Sequence, residues 1–334
     1  MRLHFDVPFH TFMNLGRSFV ATLIFLSSAV IAPAITTLTY SNFDAPLAST
    51  GGITILRGIG DGVIVGNYIA ANHNTHSFVY DQGTFSYPAS AAFLIDASGG
   101  AVLGSSWGDA PGFIYQNGTF TPLSFDIDGI IVHDAQGMDG NSFIGVYQKP
   151  LLAPLHGFLS VDGVITKIDD PLAASFGGGR NGTFGPSTVP EDIDGTNVVG
   201  SFTTAAGYRG FLFDGTQYTT IDDPLGVKGT WATGISGDYV VGYYHTADSR
   251  THGFLFDGSD YLTMDFVTQD HPLPPLATVP LGIDGNMIVG YYVDAETYVI
   301  HGFTAVVPEP GSALMVCLAG LALLKRRRGV AWKA

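Results

Sequence analysis

A single cysteine occurs in 334 residues, and it is Cys317, inside an apolar stretch near the C-terminus. The span 35–307 can therefore hold no internal disulfide, and its stability has to come from packing and closure. Positive charge is scarce as well. Arg2, Arg17, Lys325, Arg326, Arg327, Arg328 and Lys333 stand near the two ends, which leaves seven basic residues against 28 acidic ones between Ile35 and Leu324, a net charge of −21. Such a surface repels a phosphate backbone and argues against nucleic acid as a partner. Also missing are a serine nucleophile elbow, a phosphate-binding loop, a zinc-protease helix motif and a catalytic cysteine.

What the chain has in quantity is glycine, 44 residues, and phenylalanine and tyrosine, 23 and 15, with only 13% charged residues. That mixture suits short strands joined by tight turns better than long helices. The N-terminus reads as an address: Arg17 precedes an apolar run from Phe19 to Ile31, and Ala32-Pro33-Ala34 supplies the small residues that signal peptidase requires. Residues 1–34 are thus expected to be a signal peptide cleaved after Ala34, with Met13 as an alternative start. At the other end Val307-Pro308-Glu309-Pro310-Gly311 leads into an apolar segment from Ala313 to Leu324 and then Lys325-Arg326-Arg327-Arg328. The prolines keep Glu309 in an extended segment, the apolar stretch inserts as a short transmembrane helix, and the basic cluster anchors its far end on the cytoplasmic side.

This order of parts resembles the PEP-CTERM sorting signal of Gram-negative bacteria. The resemblance implies recognition and processing by an exosortase, transient residence in the inner membrane, and delivery to the cell surface or extracellular matrix. It covers residues 308–334 and the valine before them.

Between the two addresses, in 35–307, one phrase recurs. Ala232-Thr-Gly-Ile-Ser-Gly-Asp-Tyr-Val-Val-Gly-Tyr-Tyr244 is followed by His252-Gly-Phe254, and Gly282-Ile-Asp-Gly-Asn-Met-Ile-Val-Gly-Tyr-Tyr292 by His301-Gly-Phe303. The glycine of the Val-Val-Gly element recurs at Gly66, Gly104, Gly145, Gly200, Gly242 and Gly290, and the aromatic of the second element at Phe78, Phe113, Phe158, Phe211, Phe254 and Phe303. Within one copy, runs at 232–235, 239–244, 253–256 and 261–266 predict four short strands separated by glycine turns. The sixth copy stops after its third strand, whereas Tyr40-Ser-Asn-Phe-Asp-Ala-Pro-Leu47 aligns with Tyr218-Thr-Thr-Ile-Asp-Asp-Pro-Leu225, the end of the fourth copy. The expectation is an all-β, six-bladed β-propeller of four-stranded repeats closed by the N-terminal strand, with a β-solenoid or sandwich as the alternative. The repeat also resembles the extracellular HAF repeat, with glycine in place of alanine after the histidine; that resemblance implies export and adds no activity.

Histidine recurs at one repeat position, as His76, His156, His252 and His301, with Pro111 and Arg209 in the other copies. A role in holding each blade together is expected there in preference to a metal ring, because blades separate equivalent residues. Asp-x-Asp-Gly at 126–129 and 192–195 would suit a calcium loop or a turn, but lacks the full ligand spacing and the terminal glutamate of a calcium loop. Ile-Asp-Asp-Pro at 168–171 and 221–224 reads as a strand-ending turn. No catalytic, cofactor-binding or metal-ligating residue stands out, and no asymmetric acid/base constellation is visible. The connections of variable length share one face of the predicted ring, where Lys149, Arg180, His245, Arg250 and His271 are the candidate binding residues. The function expected is that of a non-enzymatic binding or structural module associated with exopolysaccharide or envelope proteins; the alternative is a secreted carbohydrate-polymer hydrolase or lyase. Convergent acidic residues at a channel mouth would favour the enzyme.

Overall fold

A computed structural model describes residues 38–49, 51–88, 93–105, 111–127, 132–148, 154–174, 176–177, 183–184 and 187–308. The signal segment with Ala32 and Ala34, the tail from Glu309 through Pro310 and Gly311 to Lys325, Arg326, Arg327 and Arg328, and the loop residues Lys149 and Arg180 lie outside the described residues. Every helix or strand among those residues is a strand, and the fold is an all-β, propeller-like arrangement.

Four-stranded antiparallel modules follow one another at 54–86, 93–122, 132–168, 188–221 and 230–264. The fifth illustrates them all: Thr230–Ser236, Tyr239–His245, Thr251–Phe256 and Tyr261–Met264 pair in sequence. Its first two hairpin signals act as expected, with Gly237 at φ 57° and Gly258 at φ 92° in the turns. The sixth module has three strands of its own, Ala277–Asp284, Met287–Val293 and Ile300–Val306. Its fourth is Thr39–Asn42 from the other end of the chain, antiparallel with Thr39 opposite Val306 and Asn42 opposite Phe303.

The core lies between modules. Val241, Leu255 and Met264 of the fifth pack with Ile283, Ile288 and Phe303 of the sixth, and Val289 of the sixth packs with Leu56, Ile64 and Phe78 of the first. Polar stitches reinforce these contacts. Where a fourth strand ends, a backbone amide donates to a buried threonine that opens the next module: Asp170 to Thr188 (2.9 Å), Asp223 to Thr230 (3.2 Å), Phe266 to Thr278 (2.9 Å) and, across the chain ends, Ala45 to Thr54 (3.2 Å). Asp170 and Asp223 each also accept the amide two residues on, at 2.8 Å, so the repeated Ile-Asp-Asp-Pro is a strand-ending turn.

The histidine position ties the third strand to the end of the fourth within a module. Nδ1 of His156, His252 and His301 lies 2.8, 2.9 and 2.8 Å from Asp169, Asp265 and Asp44, just past the fourth strand of each module. Arg209 replaces the imidazole in the fourth module and meets Asp222 at 2.7 Å. Each of the three imidazoles also stacks on a tyrosine of the second strand, Tyr147, Tyr244 or Tyr292.

Candidate axial and loop-face site

Each first strand carries one extra residue. The register shifts between Leu56 and Gly58, Leu94 and Asp96, Ala135 and Gly137, Pro190 and Asp192, Ala232 and Gly234, and Pro280 and Gly282. A bulge re-aims a side chain out of the regular alternation. The six bulged residues, Arg57, Ile95, Gln136, Glu191, Thr233 and Leu281, all line one cavity of about 100 Å³. Because the six modules contribute one residue each, this cavity marks the axis of the ring.

Toward the hairpins that join first and second strands, acidic residues converge around a second cavity of about 120 Å³. At least one oxygen of each is committed to the ring. Glycine amides donate from each hairpin to the preceding module: Gly99 to Asp61 (2.6 Å), Gly140 to Ser98 (3.0 Å), Gly195 to Asp139 (2.8 Å), Gly237 to Asp194 (2.6 Å), Gly285 to Ser236 (3.0 Å) and Gly62 to Asp284 (3.1 Å). The circuit returns to its start. Deeper in, Asp96 accepts the Ala97 and Met138 amides and Asp192 those of Ile193 and Ile235, so both oxygens of each are used. Asp192 and Asp194 belong to one of the two Asp-x-Asp-Gly segments, and here they join modules; the other segment lies partly outside the described residues. No group of three or more metal-ligating side chains occurs among the described residues.

Burial pushes the Asp96 carboxyl up to about 7, and it raises Asp192 as well, with the charge of Asp96 adding to the effect. Glu191 is also pushed up to about 7 by burial, against the opposing pull of Arg57. In the unfolded chain such groups titrate near ~4. Between about pH 4 and about 7 the folded state then binds more protons, so this stabilisation is full below that window and is lost as pH rises through it. The turn carboxylates Asp214, Asp257 and Asp294 are held below their ordinary range by local hydrogen bonds, but they sit at the surface, where solvent screens them. The melting temperature is expected to fall by roughly 10–20 °C between pH 5 and pH 8, since Asp96 and Glu191 each contribute over about two pH units of that range, at about 1.4 kcal/mol per unit and about 2–4 °C per kcal/mol. Calorimetric scans across that range test it, and a flat or rising profile would contradict it.

Away from those hairpins, at the start of the fifth module's first strand, aromatic rings gather. Trp231 lies two residues before Thr233 on the same strand and stacks on its cross-strand partner Tyr243, ring centroids 5.1 Å apart and 10° from parallel. His245 meets both rings edge-on, at 4.8 and 5.7 Å, and Tyr208 of the fourth module closes on Trp231 at 5.1 Å. Tyr243 lies within electrostatic range of Glu191 and Tyr291, and Tyr291 within range of Arg57. The aromatic group therefore stands beside the charged part of the axial cavity.

No protein-family model matches the chain, and no curated protein does. Solved structures do. The fold is similar to a six-bladed β-propeller fungal lectin from Aleuria aurantia that recognises fucose, at 13% identity and TM-score 0.44, covering 76% of this chain and 90% of that one. It is also similar to AofleA from Arthrobotrys oligospora (12% identity, TM-score 0.41, 80% and 86% covered) and to TolB from Acinetobacter baumannii (9%, 0.42, 76% and 63%). At these identities the likeness concerns the fold alone.

Of the loop residues singled out in the sequence, His245 belongs to the aromatic group, its imidazole held below its ordinary pKa by burial and bonded to Thr251 at 3.0 Å. Arg250 is exposed on the same loop, where its carbonyl accepts from Thr246. His271 sits apart, beside the stacked Phe266–Tyr292 pair, with Nδ1 3.6 Å from Asp294. Sequence reasoning missed Arg57, Glu191 and Trp231. The signal was in the alignment: the bulged residue is the x of the Ala-x-Gly-Ile phrase, the one place in it where the copies carry arginine, glutamine and glutamate. An asymmetric constellation does exist, in a position that looks like filler within any single copy.

Proposed function

We propose that the chain is an exported, non-enzymatic carbohydrate-binding module of the cell surface or extracellular matrix, built as a closed six-bladed propeller. The observation that carries the binding reading is the Tyr208–Trp231–Tyr243–His245 group on the loop-bearing side, next to a polar axial cavity. Flat apolar ring faces suit the C–H faces of sugar rings, and the polar tips of Tyr and His suit their hydroxyls. Export, processing by signal peptidase and exosortase, and an exopolysaccharide partner are proposed from the two terminal addresses. Calcium is proposed only as a condition to vary.

Two observations favour the enzyme alternative: acidic residues converge around the second cavity, and Glu191, pushed up to about 7 inside the first, has the acidity that suits a general acid or base. Against it, both oxygens of its nearest carboxylate neighbours, Asp96 and Asp192, accept backbone amides. The full-length protein mixed with insoluble polysaccharides, with and without calcium, should be retained and should release no sugar. Trp231→Ala should weaken retention about tenfold, the loss of roughly 1.4 kcal/mol of ring contact. Released sugar would promote the enzyme, and absence of retention on every polymer would overturn the binding reading.

A further inference from the structure

The six bulge residues occupy equivalent positions, yet they share no chemistry: one cation, one anion, an amide, a hydroxyl and two aliphatics. A position that served only to close the ring would be filled alike in every module, as the Phe254 column is. The two charges are the informative pair. Arg57 is oriented by its own network, with Nε donating to Asn67 at 3.3 Å and the Asn67 amide donating to Ser77 at 2.7 Å. Glu191 is deeply surrounded by protein, keeps part of its surface open to the cavity, and has no hydrogen bond or ion pair to any other described residue. The two lie close enough to influence each other's ionisation without forming an ion pair. Across a solvent-accessible cavity, a carboxylate and a guanidinium that do not meet each other present an acceptor and a set of donors to the same guest.

We propose that the axial cavity is a binding site for the hydroxyl-bearing end group of a neutral glycan, held between the Arg57 guanidinium and the Glu191 carboxylate. A hydroxyl donates to Glu191 and accepts from Arg57 at once, and neighbouring hydroxyls of one sugar present both capacities at fixed spacing. Gln136 adds one further donor and acceptor on the wall, while Thr233 is turned away to the Pro280 carbonyl at 2.8 Å. Anionic end groups meet Arg57 but also Glu191, Asp96 and Asp192 around the same cavity; a cationic group meets Arg57. Neutral ligands escape both conflicts. The aromatic group begins two residues before Thr233 on the same strand, within reach of the rest of a glycan whose end enters the cavity.

This inference rests on the carbohydrate reading and is separable from it. The full-length protein is titrated by ligand-observed NMR with the methyl glycosides of glucose, galactose and mannose, with glucuronate and glucosamine as charged comparators. At least one neutral glycoside should bind, more tightly than either charged sugar. Glu191→Gln and Arg57→Met should each weaken it at least about tenfold, as expected for a hydrogen bond to a charged group. Glu191→Gln is near-isosteric and decides the matter alone if Arg57→Met does not melt cooperatively. Glycosides that bind both variants as well as the parent, or that do not bind the parent while polymer retention persists, would overturn the axial site and leave the carbohydrate reading standing. Preference for glucuronate or glucosamine would overturn the neutral class, and loss of every sugar and polymer interaction would remove both.

Discussion

Deletion of residues 38–45 is expected to remove most of the stability of the protein, lowering the melting temperature by more than about 10 °C or abolishing a cooperative transition. The segment supplies the fourth strand of the sixth module, four residues in register with 303–306. With it go the Phe43 amide bond to Gly302 (2.8 Å), the Asp44 contact with His301 (2.8 Å), the Tyr292 hydroxyl donated to Asn42 (3.2 Å) and the Ala45 stitch to Thr54. Its two aromatic rings are anchored on both sides of the closure: Tyr40 packs on Phe266 and Phe303, and Phe43 on Phe78, Tyr80 and Phe85. Losing a fully buried aromatic costs about 3–5 kcal/mol, and these two are half-buried, so their loss adds to that of the strand pairing and the polar contacts instead of carrying the effect alone. Together these losses approach the margin of a typical domain, roughly 5–15 kcal/mol. Differential scanning calorimetry of the truncated and parent chains measures the effect. A cooperative transition within about 3 °C of the parent would show that the ring does not depend on this strand.

The second large effect is expected from one methyl group. A Cβ at Gly242 would stand 2.0 Å from the Trp231 carbonyl oxygen and 2.7 Å from the ring of Phe254. The ring could turn, but the carbonyl belongs to the paired first strand and moves only if that strand shifts, together with Trp231 and the bulge beyond it. Gly242→Ala is therefore expected to cost about 3 kcal/mol or more, as other overpacked cores do at the upper end. Gly237→Ala is the comparison: its Cβ meets nothing within 4 Å, so only the strain of φ 57° remains, about 1–2 kcal/mol. Urea unfolding of both variants separates the two kinds of cost. Equal losses would mean that the phenylalanine column tolerates a side chain beneath it.

Much of this architecture was legible in the sequence because the repeat states it several times. The match between 40–47 and 218–225 located the closing strand, and the structure gives Asp44 and Asp222 the same partner position, His301 and Arg209. The histidine column was read as a stabilising element, and that is where it lies. The site was less legible, for a physical reason. Bulges are invisible to a count of alternating residues, because the extra residue is accommodated locally and the pattern resumes after it. Without the bulge, Arg57 and Glu191 cannot be placed on the inner wall. The converging carboxylates of the hairpins were equally out of reach, since a turn aspartate that bonds within its own hairpin has the same sequence as one that bonds to the next module.

The strand at 39–42 is the first part of the folded region to be synthesised, and its partner at 300–306 is among the last. Bringing those ends together costs on the order of 5 kcal/mol of chain entropy, which no covalent link offsets beforehand. Folding thus has a built-in final step: modules one to five can form from neighbouring segments in order of synthesis, while the sixth stays an open edge until the whole sequence is present. A chain interrupted anywhere before residue 300 is left with an unpaired strand at each end, exposed to proteases and to pairing with other chains. The completed ring conceals both edges, so the same strand that holds the protein together also records that its synthesis was finished.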